Sequence, residues 1–153
     1  MKTAVIYYSR HHGNTKKLLD AIAARHDITC IDAANTQRAD LTGYDRIGFA
    51  SGIYYGKFHR TVLQLAESSL PAGKCVFFLY TYGAKREGYT KAIEAVARAK
   101  SARIAGAFGC PGWNTFGPFR LIGGMAKGHP DAEELAQAVR FYENLAGAES
   151  GGA

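Results

Sequence analysis

Residues Thr3 to Lys16 constrain this chain more than any other stretch. T-A-V-I-Y-Y is an apolar run of strand formers. It ends abruptly in the polar loop S-R-H-H, and G-N-T then opens a helical pattern carried by Leu18, Leu19, Ile22 and Ala23. A strand, a tight turn and a helix start form the geometry that holds a phosphate. N–H groups at a helix N-terminus have no partner within the helix and carry partial positive charge. The hydroxyls of Ser9 and Thr15 and the amide of Asn14 add donors. Taken by themselves these residues suit a plain helix cap equally well. Two later loops decide the weighting.

Strand-like and helical runs alternate along the rest of the chain. The pattern predicts helix at Asn14–Arg25, strand at Ile28–Asp32 and strand at Arg46–Ala50. A helix follows from Phe58 to Ser68, with Val62, Leu65 and Ala66 on one face, and L-P-A-G stops it. Cys75–Tyr80 (C-V-F-F-L-Y) is the most apolar strand and is expected to be central. Helix Glu87–Lys100 and strand Arg103–Phe108 come next. Asp131 and Glu134 form a capping box for the last helix, whose apolar stripe is Leu135, Val139, Tyr142 and Leu145. The expected domain is 1–145, with a disordered tail at 146–153.

Five strands separated by helices imply a doubly wound α/β domain: a parallel sheet with helices on both faces. Ligands in such sheets bind at the carboxyl ends of the strands. Loops 9–15, 51–58 and 81–89 leave those ends, and the latter two are rich in Gly and Tyr. Glycine lets backbone approach a ligand, and tyrosine offers a flat apolar face with a polar tip. A phosphate cradle beside two such loops suits a flat aromatic ligand with a phosphate tail.

Charge and cysteines bound the alternatives. The formal net charge is +6, but the 19 Lys and Arg residues are spread along the chain, which argues against nucleic-acid binding. No run is long or apolar enough for stable membrane insertion, so a cytoplasmic protein is expected. Cys30, Cys75 and Cys110 form no C-x-x-C pair and no metal site. Cys30 and Cys75 are expected as small buried hydrophobes in strands, and Cys110 as an inert thiol. The acidic residues of a receiver domain, the C-x5-R of a small phosphatase, the P-loop motif and G-x-G-x-x-G are all missing.

At these residues the chain resembles the flavodoxin family. S-R-H-H-G-N-T is similar to that family's S/T-x-T-G-x-T phosphate loop, with His11 where a threonine is usual. The resemblance implies a flavodoxin-like five-stranded sheet of order 2-1-3-4-5 and non-covalent FMN. It implies that Ser9, His11, Gly13, Asn14 and Thr15 hold the phosphate. Ser51, Gly52, Ile53, Tyr54, Tyr55 and Gly56 would line one side of the isoalloxazine ring, and Thr81, Tyr82, Gly83 and Ala84 the other. Tyr82 or Tyr55 is the expected stacking ring, with Tyr89 in reserve. The implied role is electron transfer with a redox partner protein, or two-electron oxidoreduction of a small flat substrate such as a quinone. Y-Y-G-K-F-H also looks like the flavodoxin-like protoporphyrinogen oxidases. A third reading keeps the fold as a phosphate-ligand module without redox chemistry.

Two features depart from an acidic electron carrier. Lys57, His59 and Arg60 follow the second loop, Lys85 and Arg86 lie in or beside the third, and Arg120, Lys127 and His129 follow the fifth strand. Cations there would favour an anionic reduced ring and two-electron chemistry; the same residues also read as solvated surface charges. The second departure is the long connection 109–128, with Trp113, Phe116, Phe119 and Leu121-Ile122. It is read as a lid or substrate wall over the ring, with Trp113 among the cofactor-contacting residues, as a partner or membrane contact, or as a small satellite core anchored by Trp113.

Overall fold

The computed structural model describes residues 1–10, 12–113, 124 and 126–151. Among these residues six strands and four α-helices follow in the order β1 (Thr3–Tyr8), α1 (Asn14–Ala23), β2 (Ile28–Asp32), β3 (Arg46–Tyr54), β4 (Lys57–Phe58), α2 (Arg60–Ser69), β5 (Cys75–Tyr82), α3 (Lys91–Ala99), β6 (Arg103–Pro111) and α4 (Ala132–Gly151). Five strands pair in parallel in the order β2-β1-β3-β5-β6. That is the expected 2-1-3-4-5 once the short antiparallel β4 is set aside.

Alternation along the central strands builds two cores. Val76 and Phe78 of β5 point to the face covered by α2 and α3, where Ile47, Phe49, Val62, Leu65 and Ile93 also pack. Phe77 and Leu79 point to the opposite face, where Leu18, Leu19 and Ile22 of α1 meet Val139 and Tyr142 of α4. All four β5 side chains are buried, as expected for a central strand. Glycines on neighbouring strands make room for the aromatic rings. A Cβ at Gly48 would lie 2.4 Å from the Phe77 ring, and one at Gly109 would lie 2.2 Å from the Tyr80 ring.

The capping box is complete. The Glu134 N–H donates to Asp131 Oδ1 and the Asp131 N–H donates to Glu134 Oε1, both at 2.9 Å. The helix backbone continues to Gly151, past the end of its apolar stripe at Leu145.

Three expectations are corrected. The loop read as 51–58 is a hairpin: β3 runs on to Tyr54 and pairs back with Lys57 and Phe58. Tyr55 and Gly56 form its two-residue turn, with φ of 51° and 81°. Helix α3 starts at Lys91 instead of Glu87, because Gly88 takes a left-handed turn before it (φ 87°). Cys30 is exposed, since β2 is an edge strand covered less than the centre; Cys75 is half-buried.

Candidate functional site

Four strand exits meet at the carboxyl edge of the sheet. After β1 the chain turns through two successive left-handed residues, His12 (φ 58°) and Gly13 (φ 64°), and α1 begins. Gly13 is the N-cap and has no side chain to offer. The Ser9 hydroxyl reaches forward and accepts from the Lys16 N–H at 3.0 Å. Arg10 leans outward to Asp32, 3.0 Å away. His11 lies outside the described residues.

Thr15 and Asn14 make contacts that the sequence did not suggest. The Thr15 hydroxyl lies 3.0 Å from that of Thr81, and both are buried, which ties the first loop to the third. Asn14 Nδ2 donates to the Trp113 carbonyl at 2.7 Å. Gly112 approaches so closely that a Cβ there would sit 2.8 Å from Asn14 Nδ2. The Trp113 indole stacks on the His12 imidazole at 3.9 Å and 19°. Trp113 thus closes the first loop and does not line the ring-side cavity. Phe116, Phe119, Arg120, Leu121 and Ile122 of the same connection lie outside the described residues. Asn14 is 6% exposed, and its Oδ1 has no partner among the described residues. A buried acceptor left unpaired costs roughly 1–3 kcal/mol. The group that would satisfy it carries a proton to donate, such as a hydroxyl.

The hairpin after β3 is built rigidly. Ser51, fully buried, accepts from the His59 N–H at 2.9 Å and donates to the Gly52 carbonyl. His59 caps α2: its Nδ1 accepts from the Thr61 N–H at 3.2 Å, so the ring is protonated on Nε2 if neutral. Burial, then the charge of Arg60, lowers its pKa. Its ring stacks on Tyr8 at 3.7 Å and meets the edge of Tyr54. Tyr54 therefore packs on the strand side of the hairpin, while Tyr55 stands 92% exposed at its tip.

The hairpin and the loop after β5 enclose an open cavity of about 200 Å³, lined by Ile53, Gly56, Tyr82, Gly83, Ala84, Arg86 and Tyr89. The structure thus brings together six of the expected ring-side residues. Ser51, Gly52, Tyr54, Tyr55 and Thr81 do not line it. Tyr89 is buried and donates its hydroxyl to the Ala84 carbonyl, so it shapes the loop. Tyr82 is half-buried and packs 6.0 Å from Tyr80 and 5.9 Å from Tyr89, and burial raises the pKa of its hydroxyl. It is the best-placed stacking ring. Arg86 was read from the sequence only as a nearby cation; it is the charged member of the lining.

The remaining cations of this edge divide. Lys57, Arg60 and Lys85 are exposed. Lys127 Nζ lies 6.0 Å from the Trp113 ring centre. His129 bonds Glu134, which raises its pKa. The cluster of His129, Asp131 and Glu134 is occupied by the capping box. Cys110 is buried, and its thiol is pushed up to about 12 by burial, then by Glu134 and Asp131. It stays protonated near neutrality.

A model of the flavodoxin domain matches residues 5–112. An uncharacterised protein of Methanocaldococcus jannaschii is 31% identical over 147 residues, covering 95% of this chain and 98% of the relative. A flavodoxin from the domain Archaea is 18% identical, covers 94% of this chain and 96% of its own, and has a TM-score of 0.63. Two-electron reduced Megasphaera elsdenii flavodoxin is 19% identical (89% and 97% covered, TM-score 0.60). An NADPH-quinone reductase from P. pentosaceus is 14% identical (92% and 97% covered, TM-score 0.63). At such identities the solved structures report on the fold. No helix among the described residues is long and apolar enough to cross a membrane.

Proposed function

From the premise that this chain belongs to the flavodoxin domain family, we propose that it binds FMN non-covalently and transfers electrons. The observation that carries the reading is the pairing of a helix-start loop with a tyrosine-lined cavity at the same sheet edge. The N–H groups at the start of α1 suit a phosphate dianion. The unpartnered Oδ1 of Asn14 suits a hydroxyl on the chain that links phosphate to ring. Tyr82 offers a face to stack on, and the Gly56 and Gly83 backbones allow close approach.

Bound FMN would supply the capacity to accept and return one or two electrons; the protein supplies position and electrostatics. Ser9, Gly13 and Asn14 would hold the phosphate end. Ile53, Gly56, Tyr82, Gly83 and Ala84 would hold the ring. Thr15 and Thr81 would act indirectly, by locking the two loops together.

A second reading is a two-electron oxidoreductase acting on a flat substrate such as a quinone or a porphyrinogen. Arg86 favours it, since a cation in the cavity lining stabilises negative charge on a reduced ring. Turnover of menadione or protoporphyrinogen by the FMN-loaded protein tests it; inertness toward both leaves the carrier role. The test of the main proposal is uptake of FMN by the purified protein, read as flavin absorbance after gel filtration. A protein that retains no flavin, even after incubation with excess FMN, refutes it.

A further inference from the structure

The hairpin tip is presented outward with no structural use for its side chain. Tyr55 is 92% exposed, while the strands on either side of it are fixed by the Ile53–Phe58 and Tyr54–Lys57 pairs. Its base is held by the Ser51–His59 hydrogen bond and the Tyr8–His59 stack. Tyr55 also carries a left-handed backbone, a conformation in which glycine or asparagine is less strained. A large aromatic in that position is neither buried nor conformationally favoured, and large exposed aromatics of this kind are typical interface anchors.

The exposed charges beside it are mainly positive. Lys57 and Arg60 on the hairpin side and Lys85 and Arg86 on the loop after β5 are all exposed. Glu87 is the single acid among residues 55–60 and 85–87. None of the four cations is ion-paired among the described residues. Elsewhere on the surface Arg10, Lys16 and Arg98 pair with Asp32, Asp20 and Glu94. Gly56 and Arg86 belong both to these segments and to the cavity lining, so the patch borders the ring-side cavity.

We propose that this face docks an acidic redox partner protein, with Tyr55 as the central anchor and Lys57, Arg60, Lys85 and Arg86 as the steering charges. The proposal rests on the FMN reading. Opposite charges around an aromatic anchor give orientation and encounter rate, and they bring the partner against the cavity through which electrons would pass.

The test uses FMN-loaded protein and a fluorescein-labelled 20-residue polyglutamate peptide, followed by anisotropy at low and high salt. Binding at low salt that disappears at high salt is expected. The pair Lys57→Glu and Lys85→Glu is expected to weaken it by roughly tenfold or more, and Tyr55→Ala by a smaller factor. The pair Lys2→Glu and Lys100→Glu changes net charge equally at the opposite end of the strands and is expected to leave it nearly unchanged. Equal weakening by both pairs overturns the proposal, as does tighter binding of a single-stranded DNA 20-mer than of the peptide. Flavin absorbance retained in every variant assigns such a failure to the docking face and not to cofactor binding. If the wild-type protein takes up no FMN, the redox role of the face falls with the proposed function.

Discussion

Asn14 and Trp113 fasten two distant parts of the chain together: the carboxamide of one donates to the carbonyl of the other at 2.7 Å, across 99 residues. Asn14 thereby connects the start of α1 with the exit of β6, and it still has an acceptor oxygen to spare. Trp113 is also the single tryptophan, so its fluorescence reports on this junction.

Replacing Asn14→Asp removes the donor and places a carboxylate beside the phosphate loop. Stability is expected to fall by about 1–3 kcal/mol, because the Trp113 carbonyl loses its partner. FMN affinity is expected to fall by roughly tenfold or more from charge repulsion. Urea unfolding followed by Trp113 emission measures the first, and flavin fluorescence titration the second. Unchanged values in both would remove Asn14 from the site.

Gly109→Ala is expected to destabilise the fold by about 1–3 kcal/mol, since the new Cβ would overlap the Tyr80 ring that lies across it. Adding Tyr80→Ala relieves the overlap while losing the ring's burial, so the double variant is expected to be less destabilised than the two single effects sum to. Thermal unfolding of the three variants checks this.

Two histidines set opposite pH dependences. His59 has its pKa lowered below the ordinary 6.5, by burial first and then by Arg60. As pH falls through 6.5 the unfolded chain takes up that proton before the folded one, so stability is lost on the acid side. His129 has its pKa raised above 6.5, chiefly by its bond to Glu134. Its contribution is fully present below 6.5 and is lost as pH rises through the folded pKa. His59→Gln is expected to flatten the acid limb of a stability profile, and His129→Gln the limb above 6.5. NMR titration of the imidazole protons gives the two pKa values directly.

Thiol labelling separates the cysteines. Cys30 is exposed, whereas Cys110 is 3% exposed with its pKa pushed up to about 12. Burial raises the Cys30 thiol pKa as well, so an aromatic disulfide reagent is expected to modify Cys30 slowly at neutral pH and faster as pH rises, and to reach Cys110 only after denaturation. Fast labelling of Cys110 in the native protein would contradict its placement.

Much of this architecture could be read from local patterns. The β1–loop–α1 unit carries its own signals, as do the apolar β5 and the Asp131/Glu134 box, so these elements were legible without tertiary information. The hairpin was not. Its turn is Tyr-Gly, whereas the usual sequence signal is Asn-Gly or Asp-Gly, and a tyrosine at positive φ has no local signature. Cys30 was misplaced because the β pattern of residues 28–32 does not say that the strand lies at a sheet edge. At the site, loop positions pointed to the right neighbourhood, but not to which side chains face the cavity. Ser51 and Thr81 are consumed by internal hydrogen bonds, and Arg86 enters the lining only through the path of the third loop. Those assignments depend on contacts between residues far apart in sequence, which periodicity does not encode.

The central claim is that the α1 start and the Tyr82-lined cavity together hold FMN. The most direct measurement is an absorbance spectrum of the purified protein after incubation with FMN and removal of the unbound fraction, repeated with Tyr82→Ala. Retained flavin bands in the wild type, with affinity reduced at least several-fold in the variant, are the expected result. A wild-type protein that emerges without flavin, or a Tyr82→Ala variant that binds it equally well, would contradict the account.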